Sequence, residues 1–310
     1  MKTTTHFAGV NTARLAAATE GRPVLISFAD IVRRPGVWAN EILPRLRRRA
    51  WPSVILDSGA FTVISTPQFR IDAQAYAAFA AEHRDLFDVI VNLDDIAGNL
   101  ATTHANQATL EAAGVSALPV FHQGEDWSVL EGYLADHDHV GVGFARKPGG
   151  RLAHTTTENE AFLVEFFERV GDRARVHGFA MTSWVKKGFA FGTVDSTSWI
   201  AEYMAVRRLA PYDEDAGALK TVVVPREIFV AGDLANMIQH HGPDELLSLV
   251  VDSYAPEGFD LGLDDDDLPG VVASIEDDSR GQARTVFRRY GAARLLAKLN
   301  GLDQSVQRAA

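Results

Sequence analysis

Eight short apolar runs, many of them β-branched, recur along the first two thirds of the chain, with helix-like segments between them. They are "HFAGV" (6–10), "VLISF" (24–28), "SVILD" (53–57), "FDVIVNL" (87–93), "ALPVF" (117–121), "HVGVGF" (139–144), "RVHGF" (175–179) and "TVDST" (193–197). Most are continuous in hydrophobicity and do not alternate. A strand covered on both faces reads this way, whereas a strand with one wet face alternates apolar and polar residues. Parallel strands also need long crossovers, which are usually helices. The pattern predicts an α/β fold, a (β/α)8 TIM barrel over residues 1–210. A doubly wound open sheet is the competitor. The barrel is preferred because eight strands fit its count and no glycine-rich dinucleotide fingerprint follows an early strand.

The intervening segments carry helix signals. Asp72 is placed to cap "AQAYAAFAAEHRDLF", where Tyr76, Phe79, Ala80 and His83 fall on one face. "TTHANQATLEAAG" ends on Gly114, and "EDWSVLEGYLADH" and "TENEAFLVEFFERVGD" have the same character. Residues 211–310 read differently. "TVVVPREIFV" suggests an extra strand leading into a helix, and "PDELLSLVVDSY" and "GQARTVFRRYGAARLLAKLNG" suggest amphipathic helices separated by an acidic loop. A mainly helical C-terminal extension packed on the barrel is expected.

Composition removes several classes of chemistry. The chain has no cysteine, which excludes disulfides, thiolate catalysis and cysteine-based zinc sites. Its ten histidines include a single H-x-H pair, His137 and His139, and no H-x-x-x-H pair, so no metal site is expected. No apolar run approaches the roughly 18 residues of a membrane span, and the first residues lack the apolar core of a signal peptide. A cytoplasmic protein with no membrane partner is the expectation. The net charge of −11 opposes a general nucleic-acid coat, although Arg47, Lys147 and Lys186 lie in locally basic stretches that could form a rim.

In such a barrel the C-terminal strand ends converge on one mouth, where active sites lie. Those ends carry Asp57, Asp94 with Asp95, His122 with Gln123, Gly143, His177 with Gly178, and Asp195. A buried carboxylate is costly unless paired or used, so three such strand ends exceed what packing requires. Gly59 and Ala60 leave space beside Asp57, and Phe61 offers a flat face. Gly141 and Gly143 could clear room for a planar ligand, or serve close packing instead. His177 alone reads more readily as a satisfied core histidine than as a ligand-binding one.

"LDSGAFT", "VNLDD", "VFHQG", "VGVGF", "VHGF" and "VDSTSW", in that order over residues 53–199, resemble the tRNA-guanine transglycosylases. The resemblance is closer to their DNA-modifying phage and bacterial relatives, which insert deazaguanine bases. It implies exchange of guanine for a deazaguanine base, with Asp195 as the nucleophile at the sugar's anomeric carbon and Asp57 as the acid/base. It further implies that Asp94 accepts hydrogen bonds from the purine edge and that Phe61 and His177 flank the base. Gln123, or His122 one residue away, would read the base, and Gly143 would bring backbone amides to it. Ser58 falls among the substrate-binding residues. The tRNA enzymes carry a zinc site of three cysteines and a histidine after the barrel; this chain has no cysteine, so no zinc subdomain and no cofactor are expected. That departure and the "VDSTSW" form favour DNA over tRNA as the polymer partner. A free deazaguanine base is the second substrate, and a strand-opening helper protein or a homodimer is compatible with this. The alternatives are a tRNA-guanine transglycosylase, a TIM-barrel glycoside hydrolase with paired carboxylates, and a nucleic-acid-binding relative without catalysis.

Overall fold

The computed structural model describes residues 3–200, apart from 67, 97, 148, 149, 151, 186 and 198, together with the backbone of 212–213 and 218–219. The chain divides into two units, 1–197 and 198–310. In the second unit, β10 (Tyr212–Asp213) pairs antiparallel with β11 (Ala218–Leu219). The strand and helices expected farther along lie outside the described residues.

The first unit alternates strand and helix throughout. β1 (Thr4–Ala8) leads to α1 (Ala13–Ala18). β2 (Val24–Ser27) leads to α2 (Phe28–Arg33), α3 (Pro35–Val37), a π-helical turn (Trp38–Ile42) and α4 (Leu43–Arg47). β3 (Val54–Asp57) is followed by α5 (Ala60–Ser65) and α6 (Ala73–His83), and β4 (Val89–Val91) by α7 (Leu100–Ala112). β5 (Ala117–Leu118) and β6 (Val120–His122) precede α8 (Trp127–Asp136). β7 (His139–Gly143) precedes α9 (Thr156–Val170), and β8 (Arg175–Gly178) precedes α10 (Thr182–Val185) and β9 (Thr193–Ser196). All eight expected strands are present close to their expected bounds.

The nine segments form one parallel sheet in the order β5-β4-β3-β2-β1-β9-β8-β7-β6. Its two outermost segments, β5 and β6, are separated only by Pro119. They are two halves of one strand, interrupted because proline has no N–H to give the ladder. Both halves remain bonded: Asn92 N–H donates to the Leu118 carbonyl at 3.0 Å, and Gly141 N–H to the Pro119 carbonyl at 2.8 Å. The sheet therefore closes on itself as an α/β barrel of the TIM type. A doubly wound sheet would keep two free edges.

Both faces of the wall are covered, as the unbroken apolar runs require. On β7, Val140 and Val142 join a fully buried outer layer with Phe121 of β6, Leu130 of α8, and Leu163 and Phe166 of α9. Each such side chain contributes roughly 1.5–3 kcal/mol relative to exposure. The alternate residues line the interior, where Ala8, Leu25, Ile55, Val91, Leu118 and Val120 form a second cluster. The helix caps follow the sequence signals. Asp72 accepts from Ala75 N–H at 2.7 Å at the start of α6, and Thr155 and Glu158 form a reciprocal capping box on α9. Tyr76 on α6 then ties its hydroxyl to the Val91 carbonyl at 2.7 Å, fixing the helix against β4.

Three imidazoles besides His122 share the barrel interior, which in such folds is normally filled by branched apolar side chains. His6 Nε2 lies 3.0 Å from Ser53 Oγ, and His177 Nδ1 lies 2.8 Å from Thr193 Oγ1. His139 reaches the opposite end, where a cavity of about 440 Å³ opens between the first residues of β4, β5 and β7. Burial, with the neighbouring His177, pushes His6 down to about 3 and His139 down to about 4. Among the described residues, no helix is long and apolar enough to cross a membrane.

Candidate active site

The turn after β3 is built around Gly59. Its φ is +90°, and a Cβ there would lie 2.5 Å from the Ala29 Cβ. Only glycine meets both demands. The turn brings the Gly59 N–H to Asp57 Oδ2 at 3.0 Å, which holds the carboxyl at the strand end. Gly59→Ala should destabilise the fold by roughly 3 kcal/mol, read as a lower urea midpoint with unchanged slope. An unchanged midpoint would refute this account of the turn.

Asp57 keeps intermediate exposure through the open mouth, while the barrel wall encloses its carboxyl. Burial pushes that carboxyl up to about 7. The adjacent Ser27 hydroxyl and the Gly59 amide oppose the shift, and the charges of Asp195 and Asp94 reinforce it. Asp57 is thus poised to hold or release a proton near neutral pH.

Asp195 is the penultimate residue of the last barrel strand and is buried. Its Oδ1 accepts the Ala180 N–H at 2.9 Å and lies 3.5 Å from His177 Nε2. Ala180 has a φ of +55°, a left-handed conformation that costs a non-glycine residue about 1–2 kcal/mol. Here the strained turn presents a backbone donor to a carboxylate. With Oδ1 held, Oδ2 is the oxygen left for chemistry.

Asp94 lies 2.9 Å from His122 Nε2, and Glu125 Oε2 accepts the His122 N–H at 2.9 Å. Burial disfavours the imidazolium, but the Asp94 charge and hydrogen bond, with Glu125, outweigh it and raise the His122 pKa. Beside Asp94 and Asp95, a cavity of about 210 Å³ opens between α5 and the loop after β4.

The other expected site residues are placed unevenly. Ser58 is fully buried beside Asp57. His122 faces the interior, whereas the Gln123 side-chain amide turns outward, 3.5 Å from the Glu158 carbonyl on α9. Strand alternation decides between them, because His122 shares the inward parity of Val120. Gly143 clears space for a protein side chain: a Cβ there would lie 2.9 Å from the His122 ring. His177 is fully buried against Phe179, with ring centroids 4.5 Å apart, while Phe61 is 49% exposed. In this structure His177 therefore presents no open face to pair with Phe61. Lys147 is exposed just past β7, on the mouth side. Arg47 ends α4, from which the chain enters the start of β3, so it lies at the barrel end opposite the mouth. Lys186 lies outside the described residues.

Sequence reasoning missed Arg146 and Glu125. Arg146 lies just past the end of β7, half-buried, with its guanidinium over the Phe61 ring at 5.3 Å from the centroid. Its position after a strand end was the available signal, obscured by the basic cluster around it. Burial lowers the Arg146 pKa, while the Asp195 charge opposes that shift. No family model matches the chain, and no curated protein or solved structure matches it either.

Proposed function

We propose that this chain is a base-exchange transglycosylase that replaces guanine by a deazaguanine base in a nucleic acid, with DNA favoured over tRNA. The observation that carries the proposal is the pair of barrel-end carboxyls, Asp57 and Asp195, in different surroundings. Asp57 is pushed up to about 7, and Asp195 has one oxygen held by a backbone amide. A carboxyl that keeps its proton near neutrality suits the acid role, and one with an oxygen left open suits the nucleophile role.

Asp195 Oδ2 forms a bond to the anomeric carbon as the bond from that carbon to guanine N9 breaks. Protonated Asp57 supplies the proton that neutralises the departing guanine. The ionised Asp57 then removes a proton from the incoming deazaguanine. Its ring atom bonds to the anomeric carbon as the Asp195 ester bond breaks, which returns both carboxyls to their starting forms. For the base, Asp94 would exchange its His122 partner for the N–H donors of a purine edge.

The test is a denaturing gel. Protein is incubated with guanine-containing single-stranded DNA or with tRNA, with and without a free deazaguanine base, and any shifted band is mapped by mass spectrometry. A denaturant-stable adduct on Asp195 is expected with DNA and should be discharged by the free base. An adduct with tRNA alone would move the proposal to the tRNA enzymes. Sugar release from oligosaccharides with no adduct on either polymer would replace it with the glycoside hydrolase alternative.

A further inference from the structure

Three cations lie over aromatic rings among the described residues. Two of them have carboxylate partners: Arg169, over Trp127, bonds Glu165, and Lys187, over Trp184, bonds Glu160. Arg146, over Phe61, forms no ion pair among the described residues, although it is half-buried. Withdrawing a guanidinium from water without giving it an anion is costly, so an unpaired one at a site mouth indicates a missing ligand.

The loop after β7 is shaped to hold this side chain. Arg146 bridges Leu152 across an antiparallel turn, and Ala153 N–H donates to the Ala145 carbonyl at 3.0 Å. Arg146 Nη1 donates to the Gly150 carbonyl at 3.2 Å. Gly150, with φ +78°, packs so closely that a Cβ would lie 2.9 Å from the Phe61 ring. One clasp therefore fixes the guanidinium and the ring together. Nε and Nη2 are left to serve a ligand, in a planar fork that matches phosphate oxygens.

We propose that Arg146, laid over Phe61 at the mouth, is a phosphate subsite that takes the phosphodiester next to the nucleotide presented to Asp195. The assignment of that phosphate to a nucleic acid rests on the base-exchange proposal. Phosphate capture here would also set the register of the strand, placing one sugar over Asp195.

The experiment compares binding of 2′-deoxyguanosine with its 3′- and 5′-monophosphates by calorimetry, for wild type, Arg146→Met and Arg146→Lys. The deoxyadenosine series runs in parallel, and thermal melts check that all three proteins are folded. In wild type, one of the monophosphates should bind about tenfold or more tighter than its nucleoside. Arg146→Met should erase that gain while nucleoside binding stays level, and Arg146→Lys, which keeps the charge without the fork, should retain part of it. Equal affinity for the guanine and adenine series, with an Arg146-dependent gain in both, would keep the subsite and overturn guanine exchange. The subsite itself falls if wild type gains nothing from either phosphate, or if the gain survives in Arg146→Met.

Discussion

Replacing Asp195 by asparagine should lower base exchange by roughly 10⁴-fold or more, because an amide can neither attack the anomeric carbon nor leave it as a carboxylate does. The exchange would be measured as incorporation of labelled guanine into single-stranded DNA. The fold should survive, since asparagine keeps the oxygen that accepts the Ala180 amide at 2.9 Å and loses only the charge. The denaturant-stable adduct should vanish with the activity. Retention of both would remove Asp195 from the reaction and leave its strained neighbour Ala180 without a purpose. Loss of activity with a melting temperature close to wild type is the expected combination.

Asp57→Asn should slow exchange by about 10²- to 10⁴-fold, the usual worth of a positioned acid/base. Wild-type turnover should peak near neutral pH, because Asp57, set at about 7, must give a proton in one half-reaction and take one in the other. The same substitution should stabilise the protein in alkali. The folded pKa of Asp57 is raised above its usual 3.8, so the stability it contributes is complete below about pH 4 and is lost as pH rises to about 7. Above that pH, wild type holds an enclosed charge that asparagine lacks. At pH 8 the variant should gain about 2 kcal/mol, a figure reduced for the water that reaches Asp57 through the mouth. The gain should disappear toward pH 4. Urea midpoints at several pH values would check it, and a variant no more stable at pH 8 than wild type would refute the raised setting.

The barrel was readable because its strands are covered on both sides, which leaves unbroken apolar runs at regular intervals. Caps such as Asp72 were equally legible, since a cap acts within a few residues of itself. The site was readable only in part. Asp57 and Asp195 stand at strand ends, where sequence position fixes spatial position. Strand parity, applied more strictly, would have chosen His122 over Gln123, and the chain path would have moved Arg47 to the far end of the barrel. Gly143 read as either a gap for a ligand or a place of close packing, and it serves packing: His122 from the next strand fills the space, a contact made across the sheet and not along the chain. Arg146 depends on a loop folding back on Phe61, which no local period encodes.

The imidazoles on the barrel axis have a consequence for proton balance. His6 and His139 are held at about 3 and about 4, against 6.5 for a free histidine. Over that interval an unfolded chain takes up protons that the folded one refuses, so their contribution to stability is whole above about pH 6.5 and drains away as pH falls. Asp57 works in the opposite sense, as one carboxyl against two imidazoles. Acid thus works against this barrel from its interior, through two imidazoles that can be charged only by leaving their buried places.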